Sequence, residues 1–337
     1  AGACFSNRAR TASHIVLFSR SIIGGVYANT LKGLVMKARS ALISLLAVCT
    51  LMATNHPAQA ADITPKSLTD VVKREGWARA CPQIQPKLDA LQEPGDFSGN
   101  DWRDYVTLKG WCLVETRREA EAIDFLENKL AQGRRAPCLL DILGTSLFRS
   151  GLDAEAIATF EEALENDLPA HDRPNVYSKL ATAYMRLAAT SSGGQMTDPN
   201  ALAQAERYAR LALEGDQEPV PAVYSQLAHV KMAQHKHDEA IELLKVALEK
   251  NATYKGWPSP GLRKAMDAQF LMGLGQAHYL KGERERGLLL MDVALDTAPT
   301  EPQKSVLNTI RDNTLNPRPL EQLPRPLRPL VPLDKGI

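Results

Sequence analysis

The chain has 337 residues, 44% apolar and 23% charged, a globular balance that excludes a disordered protein. Its formal charge is +1, yet residues 1–60 carry six basic residues and no acidic one, and the remainder holds 34 basic against 39 acidic residues. A mildly acidic body lacks the concentrated basic face that phosphate backbones demand, so nucleic acid is not an expected partner.

From the amino end, residues 1–35 precede a segment that is complete in itself, and they are expected to be upstream, non-native sequence outside the working protein. That segment, residues 36–60, reads Met36-Lys-Ala-Arg39, an apolar run from Ala41 to Ala53, then Ala58-Gln59-Ala60. A basic start, a short apolar stretch and a small-x-small end make a secretory signal peptide, with cleavage expected after Ala60. The apolar run is about 13 residues, short of the roughly 20 that span a bilayer, so the mature chain is expected in a bacterial periplasm and not as an integral membrane protein. That compartment permits disulfides, and the mature chain holds Cys81, Cys112 and Cys138.

Residues 61–102 are expected to form N-terminal capping helices, with helical patterning over 67–92 interrupted at Pro82 and Pro86. A 34-residue period then organises the body. The stretch from Leu140 to Ala163 carries Leu-x2-Leu-Gly-x2-Leu followed by Ala156, Phe160 and Ala163, which fall at positions 4, 7, 8, 11, 20, 24 and 27 of one period. In that register five units run over 103–136, 137–170, 174–219, 221–254 and 268–301. Position 8 is Gly110, Gly144, Ala181, Ala228 and Gly275, and position 20 is Ala122, Ala156, Ala205, Ala240 and Gly287. Position 27 is Lys129, Ala163, Ala212, Ala247 and Ala294, so fourteen of these fifteen slots hold Ala or Gly, the residues that let two helices approach.

This pattern resembles the tetratricopeptide repeat. The resemblance implies an all-α, right-handed superhelical solenoid of about five antiparallel helix pairs, and it covers residues 103–301. Lys109 and Lys129 make the first unit its weakest match, and Lys231 at position 11 of the fourth unit is expected to pack its stem and send its head to water. Residues 302–316 read as a capping helix. Residues 317–337, with six prolines, read as an extended proline-rich tail.

Motifs of nucleotide, serine-nucleophile and zinc-protease sites are missing from the chain, so neither catalysis nor a cofactor is expected. His235, His237 and Asp238 form one polar cluster, expected as a solvated turn and not as a metal site. Trp257, in the loop between units four and five, is a candidate partner contact or a cover over helix ends. The resemblance further implies a concave face lined by positions 2, 5, 9, 12 and 13 of each first helix. Carried onto this chain, those positions include Asp141, Thr145, Arg149, Asn175, Ser178, Thr182, Arg186, His229, Gln269, Met272, Gln276 and Tyr279. Arg149 and Arg186 share position 13, where two adjacent forks would suit a carboxylate unless each pairs with a local acid such as Asp141 or Glu115. Cys81–Cys112 is the candidate disulfide, with Cys112–Cys138 as the alternative. The expected function is a scaffold that binds a peptide or helix of another cell-envelope protein and supports assembly of an envelope complex. Two alternatives stand beside it: docking through the proline-rich tail, and enzymatic or metal chemistry outside the repeats.

Overall fold

The computed structural model describes residues 63–95, 99–132, 135–191, 198–216 and 218–316. The expected upstream segment, signal peptide and proline-rich tail lie outside the described residues. Thirteen helices and no strands occur among the described residues. They are α1 (Pro65–Glu75), α2 (Trp77–Ala90), α3 (Asn100–Glu115), α4 (Glu119–Ala131), α5 (Pro137–Arg149), α6 (Asp153–Glu165) and α7 (Arg173–Ser191), followed by α8 (Pro199–Glu214), α9 (Pro221–Ala233), α10 (His237–Thr253), α11 (Pro260–Lys281), α12 (Arg284–Thr297) and α13 (Glu301–Leu315). No helix among the described residues is long and apolar enough to cross a membrane.

Local chemistry sets many of these boundaries. Thr64 and Ser67 form a reciprocal capping box before α1, while Asp198, Ser259 and Thr300 accept first-turn amides of α8, α11 and α13. Proline occupies the first turn of α1, α5, α8, α9, α11 and α13, where a missing N–H costs nothing. Helix α2, in contrast, runs unbroken through Pro82 and Pro86, contrary to the interruption expected there. Both prolines and Ala78 lie on its exposed side, where water can satisfy the carbonyls that lose an amide partner.

Consecutive helices pack as antiparallel pairs, α3/α4, α5/α6, α7/α8, α9/α10 and α11/α12, and each pair stacks on the next. The crowded positions explain the small residues. A Cβ added to Gly144 would fall 2.7 Å from the Phe160 ring, and one added to Gly275 would fall 2.8 Å from the Gly287 carbonyl oxygen. Where the connecting turn of a pair lies wholly among the described residues, it passes through one left-handed residue at position 15: Arg117 (φ 61°), Gly151 (78°), His235 (60°) and Gly282 (102°). His235 therefore marks the turn itself. Replacing His235 by Gly is expected to raise stability by about 0.5–1 kcal/mol by removing left-handed strain, as measured by chemical denaturation.

At the amino end α1 and α2 pack on α3. Ala80, Ile84 and Leu88 of α2 are fully buried, Trp77 meets Trp111 at 6.2 Å between ring centres, and Cys81 is disulfide-bonded to Cys112. Cys138 lies outside that bridge, buried on α5. The two lysines that spoil the first unit's pattern are received by the cap: Lys129 Nζ donates to Glu93 at 2.6 Å, Lys109 pairs with Asp89 at 3.5 Å, and both ammonium groups lie near the Phe125 ring. At the carboxyl end α13 packs on α11 and α12, burying Leu307 beside Met272 and Met291.

Lys231 corrects the expectation of a solvated head. Its ammonium is buried and donates to Glu206 and Glu239, each at 2.8 Å. Burial opposes ionisation of Glu206, but hydrogen bonds from Lys231, Gln234 and Arg210 outweigh it and hold this carboxyl down at about 2. Because the folded value lies below the ordinary 4.5, the stability it contributes is present above that pH and disappears as pH falls toward 2. Glu206→Gln is expected to cost about 2–3 kcal/mol at pH 7 and almost nothing at pH 2, read from denaturation curves at both pH values.

Candidate functional site

The first helices α3, α5, α7, α9 and α11 lie side by side, and their common outer surface is the expected concave face. Two polar rungs tie neighbouring first helices together. Between α5 and α7, Lys179 Nζ donates to Asp141 Oδ1 at 2.8 Å and to Thr145 Oγ1 at 2.7 Å, while the Thr145 hydroxyl donates to the Asp141 carbonyl. The same ammonium lies 5.6 Å from the Trp111 ring centre and 5.3 Å from that of Phe160. Between α7 and α9, Ser178 donates to Gln226 Oε1 at 2.6 Å, and Gln226 Nε2 donates to Thr182 Oγ1 at 3.3 Å. Each rung joins positions 5 and 9 of one unit to position 6 of the next. Asp141, Thr145, Ser178 and Thr182 are thus buried cross-links, not the groove-lining contacts expected of them.

The arginines are corrected in the same way. Arg149 Nη1 donates to the Val114 carbonyl at 2.6 Å and its Nη2 lies 3.5 Å from Glu115, the local-acid pairing that was the alternative. Arg186 donates to the Phe148 carbonyl at 2.7 Å, pairs with Asp153 and lies over the Phe148 ring. Val114 and Phe148 hold the same repeat position at the ends of α3 and α5. Position 13 therefore caps the open carbonyls of the preceding first helix, where cations are favoured. Burial pushes Asp153 up to about 6 even with Arg186 against it. Position 13 then becomes Ala233 and Leu280, and the capping series stops.

Farther along, Gln276 donates to Thr314 of α13 at 2.8 Å, so the terminal helix occupies it, and Tyr279 is half-buried beside Arg284. Met272 is buried under Leu307. Trp257 is a cover: its Nε1 donates to Asn251 Oδ1 at 2.6 Å, its ring meets Tyr254 edge-on, and buried Asn251 donates onward to Asp267 and the Arg263 carbonyl. Asn251→Ala is expected to lower stability by about 2 kcal/mol and shift Trp257 emission to longer wavelength, a change that fluorescence reads directly. His235 and His237 meet edge to face, and Asp238 pairs with Lys281. No three His, Cys, Asp or Glu side chains among the described residues gather as a metal site.

What stays open on this face lies beside and beyond the second rung. Asn175, His229 and Gln269 are half-buried, with polar atoms that no neighbouring helix takes. His229 Nδ1 donates to the Ser225 carbonyl at 2.6 Å, and burial lowers the imidazole's pKa, so Nε2 is left as a neutral acceptor. Lys179 and Gln226, which build the rungs, were missed in the sequence. Their signal was a polar residue recurring at position 6 in units three and four, a slot that Leu108 and Ile142 hold in units one and two.

No family model matches the chain, and no curated protein matches it. Among solved structures it is similar to YrrB, described as a TPR protein with an unusual peptide-binding site, at 16% identity over 73% of this chain and 99% of that one, with a TM-score of 0.43. It is also similar to BtubC (BKLC) from P. vanneervenii at 19% identity, over 81% of this chain and 98% of that one, with a TM-score of 0.42. A third similarity is to the C-terminal part of a TPR repeat-containing protein from Cytophaga hutchinsonii, at 15% identity over 74% of this chain and 85% of that one, with a TM-score of 0.43. The assignment of an all-α repeat solenoid rests on the helix pairing and small-residue packing described above.

Proposed function

We propose that this solenoid, of the tetratricopeptide type, is a protein–protein interaction scaffold. It holds an extended segment of another cell-envelope protein against the first-helix face, between α7 and α11. One observation carries this reading: the polar rungs and arginine caps that occupy the face from α3 to α9 stop there. At and past that end His229 and Gln269, with Asn175 on α7, present uncommitted polar atoms on a layer otherwise closed by helix packing. Solenoids of stacked helix pairs bind along such layers because the repeat makes a long, preformed surface. The Cys81–Cys112 bridge favours an oxidising compartment and so supports the periplasmic reading made from residues 36–60.

Affinity capture from envelope extracts tests the proposal. Full-length chain is compared with Gln269→Trp on the first-helix face, with Glu242→Trp on the exposed side of α10, and with a chain ending at Asn316. A partner lost by Gln269→Trp alone supports the proposal. A partner retained by Gln269→Trp and lost by the shortened chain assigns binding to the proline-rich tail instead.

A further inference from the structure

The outer side of α12 departs from that of the other second helices. Glu285, Leu289, Asp292, Val293 and Asp296 share it at helical spacing, and all five are exposed, Leu289 at 65% and Val293 at 41%. Leu289 holds position 22, which is Asp124, Ala158, Arg207 and Glu242 in the four earlier pairs, so the last pair alone puts a large apolar side chain there. Helix α13 brings the chain to this side. It runs antiparallel to α12 and parallel to α11: Gln303 donates to the Ala265 carbonyl at 2.7 Å, Arg311 pairs with Asp292 at 3.0 Å, and Gln276 donates to Thr314 at 2.8 Å. The chain therefore leaves α13 at Asn316 level with the first turns of α12, on the flank that Asp292 marks. Residues 317–337, which follow, hold three triplets in a row, Arg325-Pro326-Leu327, Arg328-Pro329-Leu330 and Val331-Pro332-Leu333, and four basic residues against two acidic ones.

We propose that residues 317–337 fold back along the outer side of α12, with leucines on Leu289 and Val293 and arginines beside Asp292 and Asp296. Three residues make one turn of a polyproline II strand, so Leu327, Leu330 and Leu333 share one edge, about 9 Å apart. Leu289 and Val293 are about 6 Å apart along α12, and two successive leucines bracket them. Reach is ample, since residues 317–333 extend over about 50 Å and α12 is about 21 Å long. The size of the apolar patch selects this occupant. Two side chains fall far short of the roughly 800 Å² that each partner of a stable dimer buries. A segment tethered at Asn316 meets the patch at an effective concentration of millimolar order, so a weak contact suffices. Because α12 is a second helix, the docked tail leaves the first-helix face open to a partner.

Photo-crosslinking of the full-length chain tests this, with p-benzoylphenylalanine placed at Leu289 and, in a parallel chain, at Glu242, the same slot of α10. The expected result is an intramolecular crosslink from position 289 to residues 317–333, at the mass of one chain, and little or none from position 242. Leu327→Asp, Leu330→Asp and Leu333→Asp together, which alter only the tail, should lower its yield about fivefold or more. Crosslinks from position 289 to a second copy or to another part of the chain, or none at all, would overturn the proposal. So would a tail crosslink of equal yield from position 242, or one indifferent to the three leucine substitutions.

Discussion

Lys179→Ala is expected to destabilise the chain by about 3–5 kcal/mol, because it strands the Asp141 carboxylate in the interior between α5 and α7. The ammonium is nearly sealed from water and serves four groups at once: Asp141, Thr145, and the Trp111 and Phe160 rings. Removing it leaves a buried charge with no comparable partner, whereas removing both members of the pair leaves none. Lys179→Met combined with Asp141→Leu should therefore recover most of the loss, which distinguishes a stranded charge from lost packing. Denaturant unfolding followed by circular dichroism reads the totals. Hydrogen exchange should show the opening centred on α5, α6 and α7, since each pair of a solenoid is held mainly by its neighbours.

Gly275→Val is the second large effect, about 3 kcal/mol or more. Gly275 and Gly287 face each other where α11 crosses α12, and any Cβ on Gly275 meets the Gly287 carbonyl at 2.8 Å and the Met291 amide nitrogen at 2.9 Å. These are backbone atoms, so no rotamer change relieves the contact, and the helices must separate. The consequence reaches beyond the pair, because Met291 and Ala294 of α12 share a core with Leu307 of α13. The expected result is early loss of protection in α12 and α13 with α3 to α8 intact. A melt indistinguishable from the unaltered chain would contradict the close crossing.

The contrast between these two sites shows what the sequence could convey. Gly275, Gly287, Ala156 and Ala163 announced themselves because helix crossings recur every 34 residues and admit only small side chains, so spacing alone carries the information. The all-α solenoid was legible for that reason. The functions of Arg149, Arg186, Asp141 and Ser178 were not. A register places a residue on a helix face, but whether the neighbouring helix covers that face depends on how closely the pairs stack. Arg149 points to the expected side and is then consumed by the Val114 carbonyl. Lys109 and Lys129 looked like defects because their partners, Asp89 and Glu93, come from the cap and carry no repeat signature. Trp257 was undecided until Asn251 supplied its acceptor.

If the stretch between α7 and α11 is where a partner docks, hydrogen exchange of the full-length chain with and without its captured partner locates it directly. Added protection in α9 and in the first half of α11, with α4, α6 and α12 unchanged, is the result predicted. Protection confined to α12, or to residues 317–337 alone, would contradict it.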